Sequence, residues 1–137
     1  MWAVVSARAF AALVQLLNSR YEWVREFCEA MPGVVRDFKE EWGAFRYLIG
    51  DKMFLMDGAN KEGRHIFTFK LEPLHGELAR EKYTEITAGY YMNKVHWNSM
   101  LCDGDVPDDI LREYLHESYN LIFLSLPKKL QAELAAK

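Results

Sequence analysis

The sequence predicts an α+β protein, with one antiparallel sheet of about five to six strands packed on one side by helices. Three observations carry this. Apolar residues recur at helical spacing before Pro32 and again after Pro107. They alternate with a period of two between residues 34 and 71, and Gly, Asp and Asn punctuate that middle region at intervals that suit hairpins. The 137 residues suit a single core, half of them are apolar and 14% are aromatic, which excludes a disordered chain. Seventeen Lys and Arg against twenty Asp and Glu give a net charge of −3. That balance excludes a protein whose whole surface grips nucleic acid and leaves room only for a local basic patch.

Within residues 1–17, Val5, Ala9, Leu13 and Leu16 share one side of a helix, with Phe10 and Leu17 beside them. The expectation is an extra N-terminal helix, residues 1–18, joined to a single domain at 19–137. Its apolar side either covers that domain or pairs with a second copy. A targeting segment is not expected, because the stretch lacks a basic start and a small-residue cleavage site and carries Arg8 in its middle. It is too short and interrupted to span a bilayer, and only Arg8 is basic before Arg20, which disfavours a membrane-surface helix.

Ser19, Arg20, Tyr21 and Glu22 match a capping box, so a helix is expected to start there and to bury Tyr21, Val24, Phe27 and Cys28. Pro32 and Gly33 end it. Strands follow at residues 34–39, 44–49 and 53–56, the last two joined by a hairpin at Gly50 and Asp51. Residues 57–64 are polar, hold two glycines and read as a longer hairpin loop. Residues 65–71 are the next strand. Pro73 opens a short helix ending near Tyr83. Residues 89–92 and 97–102 read as two further strands about a turn at Asn93 and Lys94. Pro107 opens the longest helix, with Asp108 and Asp109 in the first turn, where the helix dipole favours anions. Pro127 ends it, and a short helix closes the chain.

Most motifs that suggest chemistry fail on inspection. The glycines at 58 and 63 lack the Lys-Ser/Thr of a phosphate loop and lead into a strand. Asp103, Asp105, Asp108 and Asp109 lack calcium-loop spacing and are explained by helix capping. His65, His75, His96 and His116 are scattered, with no cysteine near any of them, so no metal and no cofactor is expected. Cys28 and Cys102 lie beside Phe27 and Leu101 and read as buried, reduced thiols in a cytoplasmic protein. No nucleophile motif is present, and an enzyme is not expected. Residues 89–98 stand apart, concentrating Tyr90, Tyr91, Asn93, Lys94, His96 and Trp97. Such groups stack on bases, bind phosphates or hold a peptide, although strand aromatics usually fill core first.

Together these residues resemble the MmcQ/YjbR family. The match runs through Cys28, Met31 to Val34, Asp37, Phe45, Gly50 to Phe54 and Lys70 to Pro73. It continues through residues 89–98 and 103–108, then Ser118 to Leu121 and Leu126 to Lys129. It covers about residues 21–130, and the Asn93-Lys94-Val95-His96-Trp97 block is its most specific part. Tyr91 stands where members often carry His, and Val95 where a basic residue is common. The resemblance implies a fold similar to the double-wing DNA-binding domain of the phage activator MotA and to type III secretion chaperones.

Two functions compete. The first is non-enzymatic DNA binding, in which the sheet face and hairpin wings contact phosphates through Arg46, Lys52, Arg64, Tyr91, Asn93, Lys94, His96 and Trp97. Residues 36–70 hold seven basic residues against six acidic, whereas residues 103–117 hold one against six. This reading requires Arg46, Lys52, Arg64 and Lys94 to converge on one open face. The second is a protein-interaction or chaperone-like module without a nucleic-acid role, self-association through residues 1–18 included. A small-molecule pocket lined by His96, Trp97 and Tyr119 is a third expectation.

Overall fold

The computed structural model describes residues 6–17, 19–89 and 92–136. Helices α1 (Ala7–Leu17) and α2 (Trp23–Glu29) precede four strands, β1 (Val35–Lys39), β2 (Ala44–Ile49), β3 (Lys52–Ala59) and β4 (His65–Lys70). Helix α3 (Pro73–Lys82), strands β5 (Ile86–Ala88) and β6 (Trp97–Leu101), and helices α4 (Asp108–Leu124) and α5 (Lys128–Ala135) complete the chain. The six strands form one sheet in the order β1-β2-β3-β4-β6-β5, antiparallel throughout. The α+β class, with helices on one face, is therefore as the sequence predicts.

The inner face is set by period-two alternation. Tyr47, Leu55, Phe67, Phe69 and Met100 point into the core, where Leu111, Tyr114, Leu115 and Tyr119 of α4 meet them. A bulge between β2 and β3 lets both Phe54 and Leu55 face inward, and Phe54 packs edge-on against Tyr119. Cys28 and Cys102 are free, buried thiols, and burial pushes both above the ordinary thiol range. At the hairpin, Gly50 and Asp51 both adopt positive φ, as a two-residue turn requires.

Four expectations are corrected. Helix α2 begins at Trp23 after a 3-10 turn at Ser19–Tyr21, and its N-cap Glu22 makes no side-chain capping bond. Strand β3 runs on through Asp57, Gly58 and Ala59, which the polar composition had suggested were loop. It does so because Asp57 turns inward to a buried partner and Gly58 lies so close to Ala44 that a Cβ there would sit 2.8 Å from the Ala44 methyl. The strand expected at 89–92 is instead Ile86–Ala88. Residues 89–96 form the connection, of which Tyr90 and Tyr91 lie outside the described residues.

The fourth correction concerns α1. Of the two alternatives for its apolar side, covering the domain or pairing with a second copy, the first is overturned: that side faces outward, with Phe10, Leu13 and Leu16 exposed by 50, 49 and 76%. Among the α1 residues whose burial is described, Ala11 and Val14 are the buried apolar ones; Val5 and the side chain of Leu17 lie outside the description. Two polar side chains fix this rotation. Gln15 donates to Asp57 Oδ2 at 2.5 Å, and the Arg8 guanidinium lies 5.7 Å from the Phe38 ring centre and 5.9 Å from that of Phe45. No described helix is long and apolar enough to cross a membrane.

Candidate functional site

The residues expected to meet phosphate do not converge. Arg46 lies mid-strand on the outer face and makes a two-pronged pair with Asp37 on β1, at 2.9 and 2.5 Å. Arg64 precedes β4 at one end of the sheet and makes a two-pronged pair with Asp103, at 3.0 and 2.9 Å. The guanidinium partners hold Asp37 and Asp103 below the ordinary carboxylate range, so both arginines are neutralised where they stand. Lys52 opens β3 at the opposite end from Arg64, the end where β4 finishes and β6 begins. Exposed Lys94 belongs to that end too, in the connection leading into β6.

The connection's own residues do largely structural work. Asn93 closes a turn, its Oδ1 accepting from Val95 N–H at 2.8 Å and its carbonyl from Trp97 N–H. The His96 carbonyl accepts from Leu71 N–H. Trp97 opens β6 beside Lys70 on the outer face, whereas Tyr119 belongs to the core side, so the two do not wall one common space. Tyr91 lies outside the described residues. The centre of the outer face is apolar rather than basic: Ala44, Met56 and Ile66 cluster there with Met53 and Leu101. Trp42 and Met92 wall a cleft of about 270 Å³ above Ala44 and Met56.

A polar cluster unmarked in the sequence lies on the inner face beneath α1. Asp57 of β3 and His65 of β4 are 5 and 4% exposed. Asp57 Oδ1 meets His65 Nε2 at 2.6 Å, and its Oδ2 accepts from Gln15. His65 Nδ1 is buried without a hydrogen-bond partner among the described residues. Arg36 of β1 donates through Nε to the Tyr47 hydroxyl at 3.1 Å and stacks 3.9 Å over the Phe45 ring. Gln15, Arg36, Asp57 and His65 line a cavity of about 320 Å³ together with the charged Glu22 and Arg25 of the segment entering and opening α2, and with apolar Leu16, Val24 and Phe67. The histidines carry no spacing signal because β4 pairing, not sequence proximity, brings His65 to Asp57. The one available signal was the odd inward register of Asp57 in a strand of apolar neighbours.

No group of three or more His, Cys, Asp or Glu side chains among the described residues is placed to hold a metal ion. Fold and site define a six-stranded antiparallel sheet with helices on one face and a polar cavity beneath the first helix. The YjbR family profile matches residues 29–121, and the chain belongs to this family. YjbR of Escherichia coli K12, described by its name as uncharacterized, is 27% identical over 104 residues, covering 76% of this chain and 87% of that protein. YbdF of Escherichia coli O157:H7, likewise described, is 31% identical over 92 residues, or 67 and 73% of the two chains. Among solved structures, a Deinococcus radiodurans protein with a DUF419 domain superposes with a TM-score of 0.75 at 26% identity, covering 83% of this chain and 86% of that one. A Pseudomonas syringae protein superposes at 0.61 with 20% identity, covering 74 and 97%, and speaks to the fold. Helix α1 falls outside the matched segment 29–121.

Proposed function

We propose that this chain is a non-enzymatic protein-interaction module that pairs with a second copy of itself through the outer face of α1. The observation that carries the reading is the inverted character of that helix. Its two polar side chains, Arg8 and Gln15, turn toward the body, while Phe10, Leu13 and Leu16 turn to solvent. A helix apolar on both sides is normally a buried one. A two-fold interface places the same patch on both partners, and an uncharged apolar stripe is complementary to itself. The stripe has no Lys or Arg to draw it to an anionic lipid surface.

The test is sedimentation of wild type and of the double variant Phe10→Asp, Leu13→Asp. Wild type is expected to dimerise at concentrations up to about 100 μM, and the variant to be monomeric with its melting temperature nearly unchanged, since both positions are exposed. A wild type that stays monomeric over this range, or a variant that stays dimeric, sinks the reading.

One observation favours the DNA-binding reading as a second. Lys52 and Lys94 are exposed at one end of the sheet, and neither has a carboxylate within 4.0 Å among the described residues. On that reading Lys94→Glu weakens duplex binding in low salt and flattens its salt dependence by about one unit, measured by fluorescence anisotropy. Failure of wild type to shift any duplex at low ionic strength removes it.

A further inference from the structure

A second surface, where the entry to α3 meets α4, is separate from the stripe on α1. We infer that the groove there docks a basic amphipathic segment of another protein, its cations on Glu72 and Glu113 and its apolar side chains on Leu121 and Leu124.

One stripe of α4 builds the groove. Glu113, Glu117, Leu121 and Leu124 recur at helical spacing over about three turns, and Glu72, just before α3, joins them in lining an open space of about 360 Å³. Glu117 holds this arrangement together. Its Oε1 lies 2.7 Å from His75 Nδ1, and its Oε2 accepts from Glu72 N–H at 3.0 Å. Glu72 and Glu113 are left over: both are exposed, and neither makes an ion pair within 4.0 Å among the described residues. By contrast Asp37, Asp103 and Asp108 each hold an arginine. No Lys or Arg belongs to the lining; exposed His116 and Asn120 fall between its acidic and apolar halves.

The apolar half is open as well. Leu124 is 65% exposed, and α3 adds Leu74 and Leu78, both exposed and one turn apart. A bare cation leaves these leucines uncovered, and a phosphate-bearing polymer is repelled by the carboxylates. What matches both halves is a helix with Lys or Arg on one stretch of its face and Leu-like side chains a turn or two further on. The outward stripe of α1 in a second copy is uncharged and brings no cation to Glu72 or Glu113, so the complementary partner is a different protein.

The test is fluorescence anisotropy of the full chain with three labelled helical peptides. The first places Lys and Leu at helical spacing; the second carries Glu for every Lys; the third carries Ser for every Leu. The first is expected to bind saturably with a Kd of about 50 μM at moderate salt, and the other two at least about tenfold more weakly. Glu113→Lys is expected to weaken the first peptide about tenfold and Leu124→Ser about fivefold, with nearly unchanged melting temperatures because both positions are exposed. Glu26→Lys, an exposed position on α2, makes the same change in net charge and is expected to alter affinity by less than about twofold. No saturable binding below about 1 mM, equal affinity for all three peptides, or equal losses from Glu26→Lys and Glu113→Lys overturns the inference. The Phe10→Asp, Leu13→Asp variant is expected to bind the first peptide as wild type does; loss of binding there would put the peptide on α1 and overturn it too. A monomeric wild type that still binds the peptide ends the self-association reading alone.

Discussion

Phe69→Ala is expected to lower stability by about 3–5 kcal/mol, read as a drop in the urea midpoint with an unchanged m-value. Phe69 is fully buried at the centre of the inner face, between Leu55 of β3 and Asn98 of β6, and its ring stacks on Tyr114 of α4 at 5.8 Å. Truncation leaves a cavity walled on one side by a hydrogen-bonded sheet, which cannot collapse, and on the other by the longest helix. For a chain of this size about 1 kcal/mol corresponds to a few degrees in melting temperature, so a loss of ~10 °C is expected. A loss below about 1 kcal/mol would mean the core is not centred on this ring.

Ser118→Ala is expected to cost about 2–4 kcal/mol, although it removes a single oxygen atom. The Ser118 hydroxyl has no solvent exposure; it donates to the Phe54 carbonyl at 2.6 Å and accepts from Lys70 N–H at 2.9 Å. The β2–β3 bulge takes Phe54 out of the regular ladder, and α4 supplies the missing donor. One side chain thus ties β3 and β4 to α4, and alanine leaves two backbone groups without partners. Ser125→Ala is the control: its hydroxyl serves only the Ile122 carbonyl within the last turn of α4, and its loss is expected to stay within ~0.5 kcal/mol. Equal effects at 118 and 125 would refute the assignment.

These positions show what the sequence makes legible. The alternation through Phe45, Tyr47 and Ile49, and again through Phe67 and Phe69, reports burial directly, because one face of a strand meets the core whatever its neighbours are. Pro73, Pro107 and Pro127 likewise mark three helix starts within a residue or two. The rotation of α1 was not legible. Its residues are apolar all round, so periodicity leaves the inward side undecided, and what decides it is the Gln15–Asp57 bond, 42 positions apart. The extent of β3 was hidden for the same reason: Asp57 and Gly58 have loop-like composition, and only pairing with β4 explains them.

The expected phosphate-binding residues illustrate a second limit. Charge counts along residues 36–70 treat each side chain as independent, yet Arg46 faces Asp37 across a strand pair and Arg64 reaches Asp103 from another segment. Composition records the cations but not their neutralisation. The cavity beneath α1 had no marker because Arg36, Asp57 and His65 come from three different strands.

Strand β1 forms one border of the sheet, and among the described residues no strand neighbours its outer backbone groups. A border of this kind recruits matching segments from other molecules when it is long, flat and apolar. Here Arg36, Asp37 and Lys39 put charge on both faces of a five-residue border, and the opposite border, β5, has only three residues. Fibrillar growth by main-chain pairing through either rim is thereby discouraged.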